Sequence, residues 1–294
     1  MRKLAFLLLL LLISSVLVIS SQIRVVKAES TFIDVDGNIV PDTAPIHRIG
    51  SVYFLTGDVE RIVVDRSNII LDGNGYRMTN TLTNEAIYIR NVNNVTIRNH
   101  IIKDCGMGIT VDRSSNITIS NNTITETSVI FTELQPTGGI RLWKVNSSVI
   151  TKNQLADNYC AIYIGYESMY NTVIGNNLTN NNYGMVFWES SNNKIFHNNF
   201  INNTVGVFDR ETTSLNVWDD GYFSGGNYWN NYNGTDNDND GIGDTPYVID
   251  KNNQDNYPLI NIIPEFPSWL ILPLFLMATL SAIIVKKRLF RSTP

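Results

Sequence analysis

Two groupings of residues in this 294-residue chain have the types and spacing to do chemistry. The first is spread over a repeat. Short segments open on Ala86, Gly108, Gly139, Ala161, Gly184 and Gly206. Two positions after each come Tyr88, Thr110, Arg141, Tyr163, Val186 and Phe208, and four after come Arg90, Asp112, Trp143, Gly165, Trp188 and Arg210. If the segments are stacked parallel strands, these side chains share one surface, a coil apart. Aromatic rings offer flat apolar faces to the C–H faces of sugars, while Arg and Asp bond hydroxyls or acidic groups. The candidate ligand-binding residues are therefore Tyr88, Arg90, Trp143, Tyr163, Trp188, Phe208 and Arg210. The competing reading is structural: aromatic residues favour strand surfaces and can form a small satellite core beneath a loop. Acid–base cleavage of a glycan uses two carboxylates, and Asp112 is the only one this pattern puts on the strip. A single base beside an arginine would suit a lyase or epimerase, so Asp112 and Arg141 are the catalytic candidates.

The second grouping is Asp236-Asn-Asp238-Asn-Asp240-Gly-Ile-Gly-Asp244. Oxygen ligands at positions 1, 3, 5 and 9 with Gly at 6 match the first part of a Ca²⁺ loop. Position 12 is Tyr247, where a helix–loop–helix site would need Glu, so that particular site is excluded. Asp236, Asp238, Asp240 and Asp244 are the candidate ligands of a structural Ca²⁺, against the plain alternative of a solvated acidic turn. Soft-metal chemistry has less to draw on. His47, His100 and His197 fall in separate parts of the chain with no Cys or Met cluster beside them, and copper needs several N or S ligands converging. Cys105 and Cys160 occupy different slots about two coils apart, beyond disulfide reach, so both are expected as buried free thiols.

These residues depend on the elements that position them. Asn94–Ile102, Asn116–Ile124, Ser147–Leu155, Thr172–Leu178 and Asn193–Phe200 align on Ile97, Ile119, Ile150, Val173 and Ile195, at steps of 22, 31, 23 and 22. The Gly/Ala ladder keeps the same beat. Units of this length are too small to bury their own apolar face and must stack. Within each unit the apolar residues alternate (Ile140, Leu142; Ile162, Ile164; Met185, Phe187), and Asn, Gly, Asp and Ser separate runs of Val, Ile and Thr. That is strand and turn chemistry. A leucine-rich repeat would show a Leu-x-x-Leu-x-Leu frame, which is missing. The expected fold is all-β, a parallel β-helix with two or three short strands per ~22-residue rung. Asn122, Asn153, Asn176 and Asn198 recur three residues after the core aliphatic, with His100 in the slot before them, and predict an amide ladder along the stack. The long step holds an insertion, Thr125 to Thr137, expected to bulge as a loop.

Few charges, a net charge of −5 and abundant Asn argue against a nucleic-acid partner, and no glycine-rich phosphate loop follows a strand. Residues 1–28 read as a signal peptide: Arg2-Lys3, an apolar run, then Val26-Lys27-Ala28. Residues 29–66 read as an N-terminal cap, 67–213 as the β-helix and 214–263 as an Asp/Asn/Gly-rich C-terminal cap. Residues 264–294 combine an apolar span with Lys286-Lys-Arg288 and Arg291, the pattern of a transmembrane anchor with a basic inner end. The expected product is exported and tethered at the cell surface. Sequons at Asn94, Asn116, Asn121, Asn146, Asn177, Asn202 and Asn233 would allow glycosylation.

Tyr53-Phe-Leu-Thr-Gly57, Asn68-Ile-Ile-Leu-Asp-Gly-Asn-Gly75, the Asn ladders and the Gly225-Gly-Asn-Tyr-Trp229 … Asp240-Gly-Ile-Gly-Asp-Thr-Pro-Tyr247 ending resemble the NosD-type family from Thr31 to Leu259. That resemblance implies a right-handed parallel β-helix, a periplasmic copper-binding label and kinship with carbohydrate-binding and sugar-hydrolase β-helices. No residue-level copper motif carries over. The Pro264-Glu-Phe ending is similar to archaeal surface-protein sorting signals, which implies membrane attachment. The expected function is binding of a surface polysaccharide or glycan through the aromatic and Arg strip; the alternatives are a sugar-active lyase, hydrolase or epimerase, a structural envelope component, and a copper-delivery accessory.

Overall fold

The computed structural model describes residues 30–79, 85–127, 138–211 and 214–264. The signal segment, the anchor beyond Pro264 and nearly all of the Thr125–Thr137 insertion lie outside these residues. Among the described residues the chain is all strand and turn, and no helix is long and apolar enough to cross a membrane.

The chain coils through three sheets of nine, eight and seven strands. One coil can be followed from Met107–Asp112 to Ser115–Ser120 to Thr123–Thr125, one strand in each sheet. The next returns through Ile140–Trp143, Val149–Thr151 and Gln154–Ala156, paired in parallel with the first. The two expected ladders are the registers observed. Ile97, Ile119, Ile150, Val173 and Ile195 stand opposite one another in sequence, as do Ile87, Ile109, Ile140, Ile162, Met185 and Val207. All but Val207 are buried, and they share one core. Fully burying an aliphatic side chain contributes roughly 1.5–3 kcal/mol, so each coil is stabilised mainly by its neighbours.

Single left-handed residues turn the corners. Between the eight- and seven-stranded sheets this slot holds Asn99, Asn121, Lys152, Gly175 and His197, all with φ between 54° and 68°. Asparagine tolerates this conformation better than most side chains, which accounts for part of its abundance.

The residue after each of these turns points inward. Asn122 Nδ2 donates to Asn153 Oδ1 (3.0 Å), Asn153 to Asn176 (2.9 Å), Asn176 to Asn198 (2.9 Å) and Asn198 to Asn227 (3.0 Å). Each Nδ2 also reaches a main-chain carbonyl of the preceding coil, for example Asn176 to Ile150 O at 2.9 Å. At the early end, His100 N–H donates to Asn122 Oδ1 (3.0 Å). At the late end the series closes on a carboxylate: Asp255 accepts Asn227 N–H (2.7 Å) and the Trp229 indole N–H (2.9 Å). A second series runs Ser148, Asn171, Asn193, Asn216, Asn253 and ends on Asp250.

The segment read as an N-terminal cap is itself coiled into the stack. Thr31–Ile33 and Ile62–Val64 belong to the nine-stranded sheet, and Val52–Leu55 to the eight-stranded one. Capping falls instead to two short antiparallel strands, Ile39–Val40 and Ile46–Ile49. They use up strand edges that would otherwise stay open. Cys105 and Cys160 are free and buried, and burial pushes the Cys105 thiol up to about 12.

Candidate ligand pocket on the nine-stranded sheet

The nine-stranded sheet puts the expected columns on one surface. Tyr88, Thr110, Arg141, Tyr163, Val186 and Phe208 are consecutive partners across it. Arg90, Asp112, Trp143, Gly165 and Trp188 form the neighbouring column. Trp143 and Trp188 lie on the same side, ring centroids 6.3 Å apart.

The surface is not one continuous strip. Between the two tryptophans the column passes through Gly165, and Tyr163 folds over it; a Cβ there would come within 2.6 Å of the Tyr163 ring. Tyr166 then wedges between Trp143 (3.7 Å, stacked) and Trp188 (4.3 Å, edge-on). Tyr163, Val186 and Cys160 are buried as a satellite cluster, with Trp143, Tyr183 and Trp188 packed on it. Tyr163, expected at the ligand surface, is therefore covered. The tryptophan rings are engaged too: the Arg141 guanidinium sits 4.5 Å over Trp143 and that of Arg210 4.4 Å over Trp188. Arg90 is turned away into a two-pronged bond with Asp65 (2.7 and 3.1 Å). Exposed rings are found instead at Tyr159 and Phe208, on either side of half-buried Tyr183, at spacings of 5.6 and 5.7 Å.

Above the satellite cluster the sheet opens into a pocket of about 300 Å³ lined by Glu85, Tyr88, Thr110, Asp112, Arg113, Arg141, Trp143 and Lys144. Four of these were read from the columns as ligand or catalytic candidates: Tyr88, Asp112, Arg141 and Trp143. Arg113 and Lys144 escaped that reading because they occupy left-handed turn positions just past the strands. Their signal was the equal offset from Gly108 and Gly139. Asp112 is held by Arg113 (2.7 Å) and by the Tyr88 hydroxyl, which donates to it at 3.2 Å. Glu85 pairs with Arg61 (3.3 Å). Both carboxylates are thus occupied. Burial and the neighbouring Asp112 hold the Tyr88 phenol above its ordinary range, so it remains a donor at neutral pH.

Arg141 stands apart. Its Nη1 reaches only the Met107 sulfur (3.7 Å), and its Nε is buried with no hydrogen-bond partner. Burial lowers its pKa.

In the C-terminal loop, ligand oxygens of Asp236, Asp238 and Asp240 lie within 4.8 Å of one another. Asp244 is not in this group; its carboxylate accepts the Asn237 N–H (2.9 Å) and ties the two ends of the loop.

Residues 49–234 match the family model described as "Periplasmic copper-binding protein (NosD)". The chain belongs to the NosD family. No curated protein matches it. The NosD description points to the periplasm, in agreement with an exported protein. Among the described residues, no His or Cys donors converge as a copper site would need. His47 packs edge-on against Phe54 (5.3 Å), His100 is buried with Nε2 at Leu71 O (3.4 Å), and His197 Nε2 bonds Ser224 O (2.6 Å). Among the described residues the one converging group is the three aspartates, hard oxygen donors that suit Ca²⁺ rather than copper.

Proposed function

We propose that this NosD-family β-helix is a glycan-binding protein acting outside the cytoplasm, taking a surface polysaccharide into the pocket around Thr110, Asp112 and Arg141. The carrying observation is that pocket, where hydroxyl, carboxylate and guanidinium groups from successive coils surround one space. Sugars present many hydroxyls and little else, and such mixed donors and acceptors suit them. Contact through polar groups replaces the ring stacking expected of Trp143, whose ring braces Arg141. Exposed Tyr159 and Phe208, with half-buried Tyr183 between them, supply rings for further sugar units.

Binding of the full-length protein to a glycan array tests this reading. Thr110→Val together with Tyr88→Phe should weaken every hit at least tenfold. An array with no hits, or hits indifferent to these changes, sinks it. Asp112 and Arg141 sharing the pocket supports a second reading, a sugar-active lyase, hydrolase or epimerase. Turnover of a bound glycan that vanishes in Asp112→Ala would favour the enzyme, while binding without turnover in either form removes it.

The aspartate loop is proposed to take Ca²⁺ as a clip on the C-terminal cap. Three carboxylates within 4.8 Å of one another repel unless a cation joins them. Chelation should lower the melting temperature by several degrees, and Asp238→Asn should abolish that sensitivity. A melting temperature unmoved by chelator and by added Ca²⁺ would discard the site.

A further inference from the structure

The charges lining the pocket do not balance. Glu85 and Asp112 face Arg113, Arg141 and Lys144, and the two carboxylates are already committed. Asp112 is neutralised by Arg113 at 2.7 Å and Glu85 by Arg61 at 3.3 Å. Neither Arg141 nor Lys144 has a carboxylate partner among the described residues. Lys144 is exposed and keeps its water. Arg141 is half-buried. Its guanidinium lies between the Trp143 ring and the Met107 sulfur, with the Nε proton buried and unmet.

A half-buried cation whose only contacts are a ring face and a sulfur is costly, because these replace its lost hydration only in part. A buried donor in this state is rare enough in folded proteins to require a reason. Guanidinium groups bond planar or tetrahedral oxyanions through two parallel N–H donors. Arg141 is half-buried at the wall of the pocket with an unmet donor, which leaves it free to meet a ligand there. Trp143, held in turn by Tyr166 at 3.7 Å, fixes the guanidinium plane before any ligand arrives.

We propose that the pocket selects an acidic glycan, with Arg141 as the specificity-determining contact to an oxyanion carried on the sugar and Lys144 as a second cation at the rim. This rests on the glycan reading above and narrows it to a substrate class. Asp112 and Thr110 then meet the sugar hydroxyls. A uronate carboxylate, a sulfate ester and a phosphate ester share the chemistry Arg141 requires.

The test is calorimetric titration of the full-length protein with uronate-bearing oligosaccharides and the same oligosaccharides as methyl esters, with sulfated and phosphorylated oligosaccharides as parallel arms. The expected result is at least tenfold tighter binding of one acidic form than of its neutral counterpart. That preference should weaken as salt is raised, because screening acts on the charge contact. Arg141→Met should collapse it to less than twofold while binding of the neutral form persists. The tighter arm identifies the oxyanion. Since Arg141 is partly buried, Lys144→Gln at the rim is the companion variant, expected to reduce the preference about threefold in a protein that melts like the parent. Equal binding of acidic and neutral forms, or a preference surviving Arg141→Met, overturns the acidic assignment and leaves glycan binding standing. If no oligosaccharide of either kind binds, the glycan reading itself falls. Inorganic phosphate binding as tightly as the best oligosaccharide would also overturn the assignment, because the sugar would then contribute nothing.

Discussion

Arg141 is half-buried and His100 fully buried, and both show how one residue departs from the pattern of its column. His100 occupies an asparagine slot, and burial takes its pKa down to about 4. A histidine whose folded pKa lies below its ordinary value contributes stability that is present above about pH 6.5 and is lost as pH falls through 4. The amount is about 3 kcal/mol. Asp255, at the other end of the same amide series, has the opposite sign. Burial raises its carboxyl to about 6 despite N–H donors from Asn227, Trp229 and Tyr257. Its contribution is full below about pH 4 and is lost as pH rises through 6, again by about 3 kcal/mol. The two nearly cancel between pH 4 and 6.5. The melting temperature of the parent should therefore change little over that interval. His100→Asn should melt higher at pH 4 than at 6.5, and Asp255→Asn should melt lower. Parallel pH curves for all three proteins would refute this pairing.

Within each coil, the energetic unit is the turn residue plus the inward amide that follows it. Asn176 shows why. Removing its side chain takes the acceptor from both Asn153 N–H and Asn153 Nδ2, and the donor from Ile150 O. Unmet buried groups cost roughly 1–3 kcal/mol each. Asn176→Ala should thus cost about 3 kcal/mol in denaturant melts, whereas Asn182→Ala, at an exposed position, should stay within about 0.5 kcal/mol. Equal effects would remove the ladder as a source of stability.

The same element explains what the sequence made legible. Strand columns follow from a period shared by core aliphatics, glycines and asparagines, so their register could be written down before any coordinates. Ring orientation could not. Tyr163 and Trp143 occupy outward positions, yet Tyr163 is buried and Trp143 is engaged, because Gly165 has no Cβ and Tyr166 fills the gap. Tyr166 belongs to neither strand column; it sits in a left-handed turn, where the strand period says nothing about direction. Arg113 and Lys144 reach the pocket from the equivalent turn of earlier coils.

For the molecule as a whole, the two ends decide whether a stack of strands stays a monomer. The late end is closed by Trp229, stacked on Phe200 (4.1 Å) and Tyr247 (4.3 Å), with Trp218 at 6.1 Å. Gly226 makes this closure possible: a Cβ there would sit 1.9 Å from the Asp255 carboxylate. Trp229→Ala should cost about 3–5 kcal/mol. It should also uncover the last strands, whose free edges can pair with another chain. Light scattering should then rise well below the melting temperature of the parent. A variant that stays monodisperse up to its own melting point would show that the edges are protected elsewhere.

From Asn122 to Asn198 each side-chain amide donates to the next oxygen in the direction of Asp255, while its return bond goes to a main-chain carbonyl of the coil before. The molecule consequently has a polarity that no single sheet reveals, and its length is quantised. Excising one entire repeat leaves donor facing acceptor across the splice, so a protein shortened in that manner should fold. Cutting away half a repeat would set one carbonyl against another and orphan everything downstream.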